Sequence, residues 1–76
     1  MRKGNFKYEI KQRIAVLGEC ENGTKELNLI AFNGNPPKYD LRTWRRDENG
    51  EQMLKGVTLS EDEMRVLQKV LAELEL

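Results

Sequence analysis

Lys25-Glu26-Leu27-Asn28-Leu29-Ile30-Ala31-Phe32, a break at Asn33-Gly34-Asn35-Pro36-Pro37, then Lys38-Tyr39-Asp40-Leu41-Arg42-Thr43-Trp44-Arg45-Arg46: the reading of these stretches decides the fold. Side chains along a strand alternate between its two faces. Leu27, Leu29 and Ala31 therefore share one face of the first strand, expected to point inward. Asn28, Ile30 and Phe32 share the other. Two consecutive prolines cannot continue a ladder, so the chain turns between the strands. In the second strand Tyr39 and Leu41 fall on a core-facing side. Lys38, Asp40, Arg42, Trp44 and Arg46 fall on the opposite side. A face mixing guanidinium, ammonium and indole is poor core material. It reads either as a solvated strand face with an edge tryptophan, or as a surface for nucleic acid. In the second case cations meet phosphates and the aromatic stacks on an unpaired base.

Upstream, Phe6, Tyr8 and Ile10 alternate with Lys7, Glu9 and Lys11, the pattern of a half-buried strand. Ile14-Ala15-Val16-Leu17 is a second strand or the far half of one long bent strand. Glu21-Asn22-Gly23 is a hairpin turn, since Asn-Gly accepts positive φ. Downstream, Asp47-Glu48-Asn49-Gly50 reads as a turn, 51–56 as a loop and Val57-Thr58-Leu59 as a short strand. Ser60 with Glu63 three residues on forms a capping box, and Leu59 and Met64 occupy the staple positions. Asp62 and Glu63 suit the positive end of a helix dipole. A C-terminal helix is predicted over 60–75, with Met64, Leu67, Val70, Leu71 and Leu74 as one apolar stripe that Val66 widens. The fold class is α+β: an antiparallel sheet of four to five strands followed by one helix.

At 76 residues one domain is expected. A domain of this size buries a limited fraction of its surface and is marginal alone. The apolar helix stripe is therefore expected to be shared with a second copy in a homodimer; simple packing on its own sheet is the alternative. The single cysteine, Cys20, excludes an internal disulfide framework and reads as a buried or inert thiol, or as one half of an intermolecular disulfide. There is no histidine, no phosphate-cradling glycine loop and no activated nucleophile. No enzymatic activity, metal, cofactor or small-molecule substrate is expected. Met1–Asn5 reads as a flexible basic arm. No apolar stretch has the length of a signal peptide core or a membrane span, so the expectation is a soluble cytoplasmic protein, nucleoid-associated if bacterial.

The formal net charge is zero, but its distribution is uneven. Residues 1–46 carry ten Lys and Arg against five Asp and Glu; residues 47–76 carry three against eight. Opposite halves imply a basic working surface and a separate acidic one. At physiological salt a local patch outweighs net charge. Phe32 and Trp44, flanked by Lys25, Lys38, Arg42, Arg45 and Arg46, would form a stacking platform in a cationic groove. Stacking needs unpaired bases, and the only helix is acidic, so no basic element is available to read a major groove. Both points favour single strands over duplex.

The order KELNLIAFNG, KYDLRTW, a D-E-N-G turn, KGVTLSEDE and a terminal helix resembles the transcriptional coactivator family of positive cofactor four, most closely its small bacterial YdbC-type members. The resemblance runs over residues 6–75 and implies a curved antiparallel sheet plus helix, dimerised through the helices. It implies single-stranded DNA as the partner, bound with little sequence preference, in transcription regulation, replication or repair. By position, Phe32 resembles the family's stacking aromatic, Arg42 its backbone-contacting arginine, and Lys25 and Lys55 its basic positions. Asn28 lies beside them on the Phe32 face. Trp44 sits at or one place before the family's aromatic pair. Ile30 replaces a basic residue of eukaryotic members, with Arg45 and Arg46 as compensation. The serine-rich arm of those members is absent, and an N-terminal strand pair over 6–18 fits the bacterial form. Single-stranded RNA is the competing ligand, and a helix-dimerised protein-interaction module the competing class.

Overall fold

The computed structural model describes residues 7–76; the basic arm and Phe6 lie outside them. Four strands, β1 (Tyr8–Cys20), β2 (Gly23–Phe32), β3 (Lys38–Asp47) and β4 (Gly50–Leu59), precede one helix, α1 (Glu61–Glu73). The strands form one antiparallel meander in the order β1-β2-β3-β4. The fold class is as the sequence implies, with four strands.

One open reading is decided and one boundary differs. Of the two readings of this region, a strand pair over 6–18 or one long bent strand, the described residues form the second: β1 is a single strand bent by register shifts between Ile10 and Gln12, Arg13 and Ala15, and Val16 and Gly18. Each shift inserts one residue, the geometry by which bulges increase twist and curvature. The expected loop over 51–56 is part of β4. Its pairing of Glu51 with Arg46 and Gln52 with Arg45 rests on the backbone ladder and on polar side chains. Apolar alternation, the signal that reveals strands, is therefore missing there.

β4 also approaches β3 very closely at one point. A Cβ on Gly56 would lie 2.0 Å from the Arg42 Cβ, so only glycine fits. At the first hairpin Gly23 has φ 150°, and a Cβ there would lie 2.0 Å from the Trp44 carbonyl oxygen. Helix α1 begins as read from sequence. The Ser60 hydroxyl accepts from the Glu63 N–H at 3.1 Å, and Glu63 Oε1 accepts from the Ser60 N–H at 2.8 Å. No helix among the described residues is long and apolar enough to cross a membrane.

The core lies on the face that the sequence reading left outside. Ile30 and Trp44 are fully buried there, beside Glu26, Asn28 and Asp40. Ala31, on the opposite face, is the other buried apolar residue among the described residues, while Leu27 and Leu29 are half-buried. Curvature explains the inversion. Trp44 pairs with Thr24 near one end of β2, and Tyr8 pairs with Phe32 at the other end. Yet the Tyr8 and Trp44 rings lie 5.7 Å apart. The sheet curls around this face until its two ends meet over the indole. Helix α1 touches only β3 and β4, so it covers little of the Leu27 face. Cys20, expected to be buried or inert, is exposed, with its sulfur 3.9 Å from the Thr43 hydroxyl.

Trp44 is the chain's one tryptophan and its largest buried side chain. Its emission should be blue-shifted and poorly quenched by iodide in the native state, and red-shifted and quenchable in denaturant. Trp44→Ala should cost roughly 3–5 kcal/mol in a denaturant titration, as removal of a large core aromatic does. Strong iodide quenching of the native protein would contradict the burial.

Candidate nucleic-acid interface

Two buried carboxylates of the curled face, Asp40 and Glu26, are each gripped by an arginine. Asp40 is completely buried, and Arg42 meets both of its oxygens: Nε donates to Oδ2 at 2.6 Å and Nη2 to Oδ1 at 2.6 Å. Arg42 Nη1 also donates to the Leu54 carbonyl at 3.1 Å. A buried carboxylate is tolerable only when so paired, and the planar guanidinium fork matches it in two places. Held in this way, the Arg42 guanidinium sits 5.9 Å from the centre of the Phe32 ring.

Glu26 is paired in the same manner. Arg46 donates from Nη1 to Oε2 at 2.6 Å and from Nη2 to Oε1 at 3.1 Å, and the Thr24 hydroxyl adds a bond at 2.6 Å. The Arg46 hydrogen bonds are the main reason the Glu26 carboxyl is held down at about 2, against the opposing effect of its burial. Arg46 is made more basic in return, chiefly by Glu26 and then by Glu51. Its guanidinium also lies 5.9 Å from the Trp44 ring centre.

These pairs change what the candidate residues can do. Trp44 is 0 % exposed and Asn28 1 % exposed, so neither presents a surface to a strand. The expected stacking role of Trp44 is replaced by a core role, because curvature closes the sheet over it. Ile30 is core as well. The charges of Arg42 and Arg46 are already met by carboxylates, and Arg45 donates to Gln52 Oε1. Lys25, Lys38 and Lys55 are exposed and form no ion pair among the described residues.

The lysines do not share one surface. Lys38 lies with half-buried Phe32, Asn35, Pro36 and Thr58 around a hollow of about 380 Å³. Lys25 and Lys55 lie with Leu41, Thr43 and Val57 around a hollow of about 390 Å³. The first set belongs to the Trp44 face and the second, by strand alternation, to the opposite face. The stripe on α1 is placed outward: Val66, Val70, Leu71 and Leu74 are at least half exposed, and Met64 and Leu67 are half-buried beside Tyr39. Sequence reasoning missed the structural parts of Glu26 and Asp40, and the ion pairs of Arg13 and Glu51. The Asp40-x-Arg42 spacing was the one available signal, since residues two apart share a strand face.

The model of the transcriptional coactivator p15 (PC4) family matches residues 20–70, from the first hairpin through most of α1. The chain belongs to that family. It is also 38 % identical over 73 residues to an uncharacterized protein of Treponema pallidum (strain Nichols), covering 95 % of this chain and 84 % of that protein. Family membership supports nucleic acid as the class of partner and agrees with the sheet-then-helix order.

The Glu26–Arg46 pair has a defined pH signature. Because the folded-state value lies below the ordinary 4.5, the pair's contribution to stability is complete above about pH 4.5. It is lost as pH falls towards 2. Glu26→Gln should be less stable than the wild type at pH 7, and the difference should shrink steadily through that window. Urea titrations at several pH values measure both curves; parallel curves would remove Glu26 as the acid-sensitive group.

Proposed function

We propose that the chain binds single-stranded DNA with little sequence preference, as a homodimer, in transcription regulation, replication or repair. The observation that carries this reading is the Arg42–Phe32 pair beside Lys38. A guanidinium fixed by a buried carboxylate lies at a half-buried aromatic ring, with an uncompensated ammonium at the same hollow. This arrangement suits a nucleotide: the base stacks against the planar groups and Lys38 meets the phosphate. Lys25 and Lys55 supply phosphate contacts on the other face of the sheet. Planar stacking is indifferent to base identity, which accounts for low sequence preference. A duplex keeps its base faces covered, so it would use only the lysines. Family membership supports the same partner.

The homodimer reading rests on the helix. Val66, Val70 and Leu74 recur every fourth residue and are each at least half exposed. A row of that spacing is the usual face of helix-on-helix packing. A second copy would cover it and enlarge a core that holds few fully buried side chains in the single chain.

Fluorescence anisotropy with a labelled oligonucleotide of about 20 nucleotides, single-stranded and duplexed, tests the ligand. Single strands should win at physiological salt. Phe32→Ala should cost about 1–3 kcal/mol with an unchanged salt slope. Lys38→Gln should lower the log–log slope by about 0.7, one phosphate contact. Equal, salt-labile binding of both forms would overturn the reading. For the dimer, sedimentation equilibrium should give twice the chain mass for the wild type and the monomer mass for Val70→Glu. A monomeric wild type at micromolar concentration would reject the helix as an interface.

A further inference from the structure

A hollow of about 580 Å³ on the curled face opens between β1 and the β3–β4 hairpin and is lined by Arg13, Ile14, Val16, Glu26, Arg46 and Glu51. Two guanidinia from different strands converge there on one oxygen. Arg46 Nε donates to Glu51 Oε2 at 2.9 Å, and Arg13 Nη2 donates to the same atom at 3.2 Å. We propose that Arg13 and Arg46 form a phosphate-binding site that the chain's own Glu51 carboxylate fills in the free protein.

The two carboxylates in the cluster are not equivalent. Glu26 is 5 % exposed at its side chain, bound by both terminal nitrogens of Arg46 and by the Thr24 hydroxyl. It fixes the guanidinium in place. Glu51 is 29 % exposed at its side chain, and its partners Arg13 and Arg46 are 54 % and 41 % exposed. Such exposed pairs contribute little net stability, so a competing anion displaces the carboxylate at small cost. A phosphate oxygen has the same charge preference as Glu51 Oε2 and accepts from two guanidinia equally well. With Glu51 swung out, Arg13 and Arg46 keep one counter-charge between them, that of Glu26, and the site is cationic.

The surroundings fit a nucleotide better than a bare ion. Ile14 and Val16 are exposed apolar side chains on the wall of the same hollow. They offer a dry contact for a sugar or base beside the anion. Arg42 and Arg46 are four residues apart on β3, roughly 13 Å along a strand. The site thus lies on the same face as the Phe32 hollow, a few nucleotides further along. A strand phosphodiester and a free phosphate compound share the recognising chemistry. The strand alternative rests on the proposed single-strand binding.

The test compares wild type, Glu51→Gln, Arg13→Gln and the double variant, with thermal melts to confirm that each is folded. One arm titrates inorganic pyrophosphate and follows the arginine Nε–H resonances by NMR. The other measures anisotropy of the labelled single strand across salt concentrations. Glu51→Gln should tighten oligonucleotide binding about two- to fivefold, the scale of an exposed ion pair. It should also steepen the salt slope by about 0.7. Both gains should vanish in the double variant. A gain for pyrophosphate alone, again lost with Arg13, would establish the anion site and assign it to free phosphate compounds. No gain in either arm, or a gain that survives Arg13→Gln, would overturn the proposal. A wild type without single-strand preference would instead refute the proposed function and leave the pyrophosphate arm standing.

Discussion

Everything on the curled face depends on burying carboxylates against arginines two and twenty residues away. Asp40 and Glu26 lie under the sheet's own curve, where an unpaired charge would cost several kcal/mol. Arg42 and Arg46 meet them with two-pronged geometry, which sets the direction of both guanidinia. From that follow the seat of Arg46 over Trp44 and of Arg42 at Phe32. The close approach of β4 at Gly56 belongs to the same arrangement, because it brings the Leu54 carbonyl to Arg42. The indole N–H of Trp44 has no hydrogen-bond partner among the described residues, while its ring is flanked by Tyr8 and Arg46.

This division of labour separates two kinds of cation. An arginine that has already met a carboxylate contributes shape, a flat plate in a fixed place, more than net charge. A lysine in water contributes charge and almost no geometry. A binding surface that mixes the two has affinity set by salt-sensitive lysines and positioning set by neutralised arginines. The overall charge of zero then ceases to be an argument against a polyanionic ligand, since many of the carboxylates are internal counter-ions or lie on the helix.

Much of the fold was legible because its signals are local. The Asn33–Pro37 break and the Ser60–Glu63 capping box each act within a few residues and stand where they were read, and the first hairpin turns in the expected stretch, at Glu21-Asn22, with Gly23 opening β2. The sense of the sheet was not legible. Leu27 and Leu29 look like the core side of β2 and Glu26 and Asn28 like the wet side, yet curvature reverses their burial. The register carries three irregularities in β1 and one in β4 opposite Arg42–Trp44, and nothing in Lys11, Ile14 or Leu17 marks them as inserted residues. Exposure of the candidate site residues was legible only in part. Lys25, Lys38 and Lys55 are exposed and Phe32 is half-buried, whereas Trp44 and Asn28 are interior, because the sheet curls over their face and no single strand reveals that curl.

The helix supplies the last constraint. A sheet that buries one face by curling has little left for its other face, where Leu27, Leu29 and Leu41 stay half-covered and Val57 half-exposed. Helix α1 reaches only β3 and β4, and its own apolar arc is wider than the contact it makes. Two incompletely covered apolar surfaces on one small chain are a cost that a second copy can remove by covering both at once. The curled face, satisfied internally by its ion pairs, needs no such cover. On the proposed function, that asymmetry leaves the charged, aromatic side to the bases and the exposed row on the helix to a second copy.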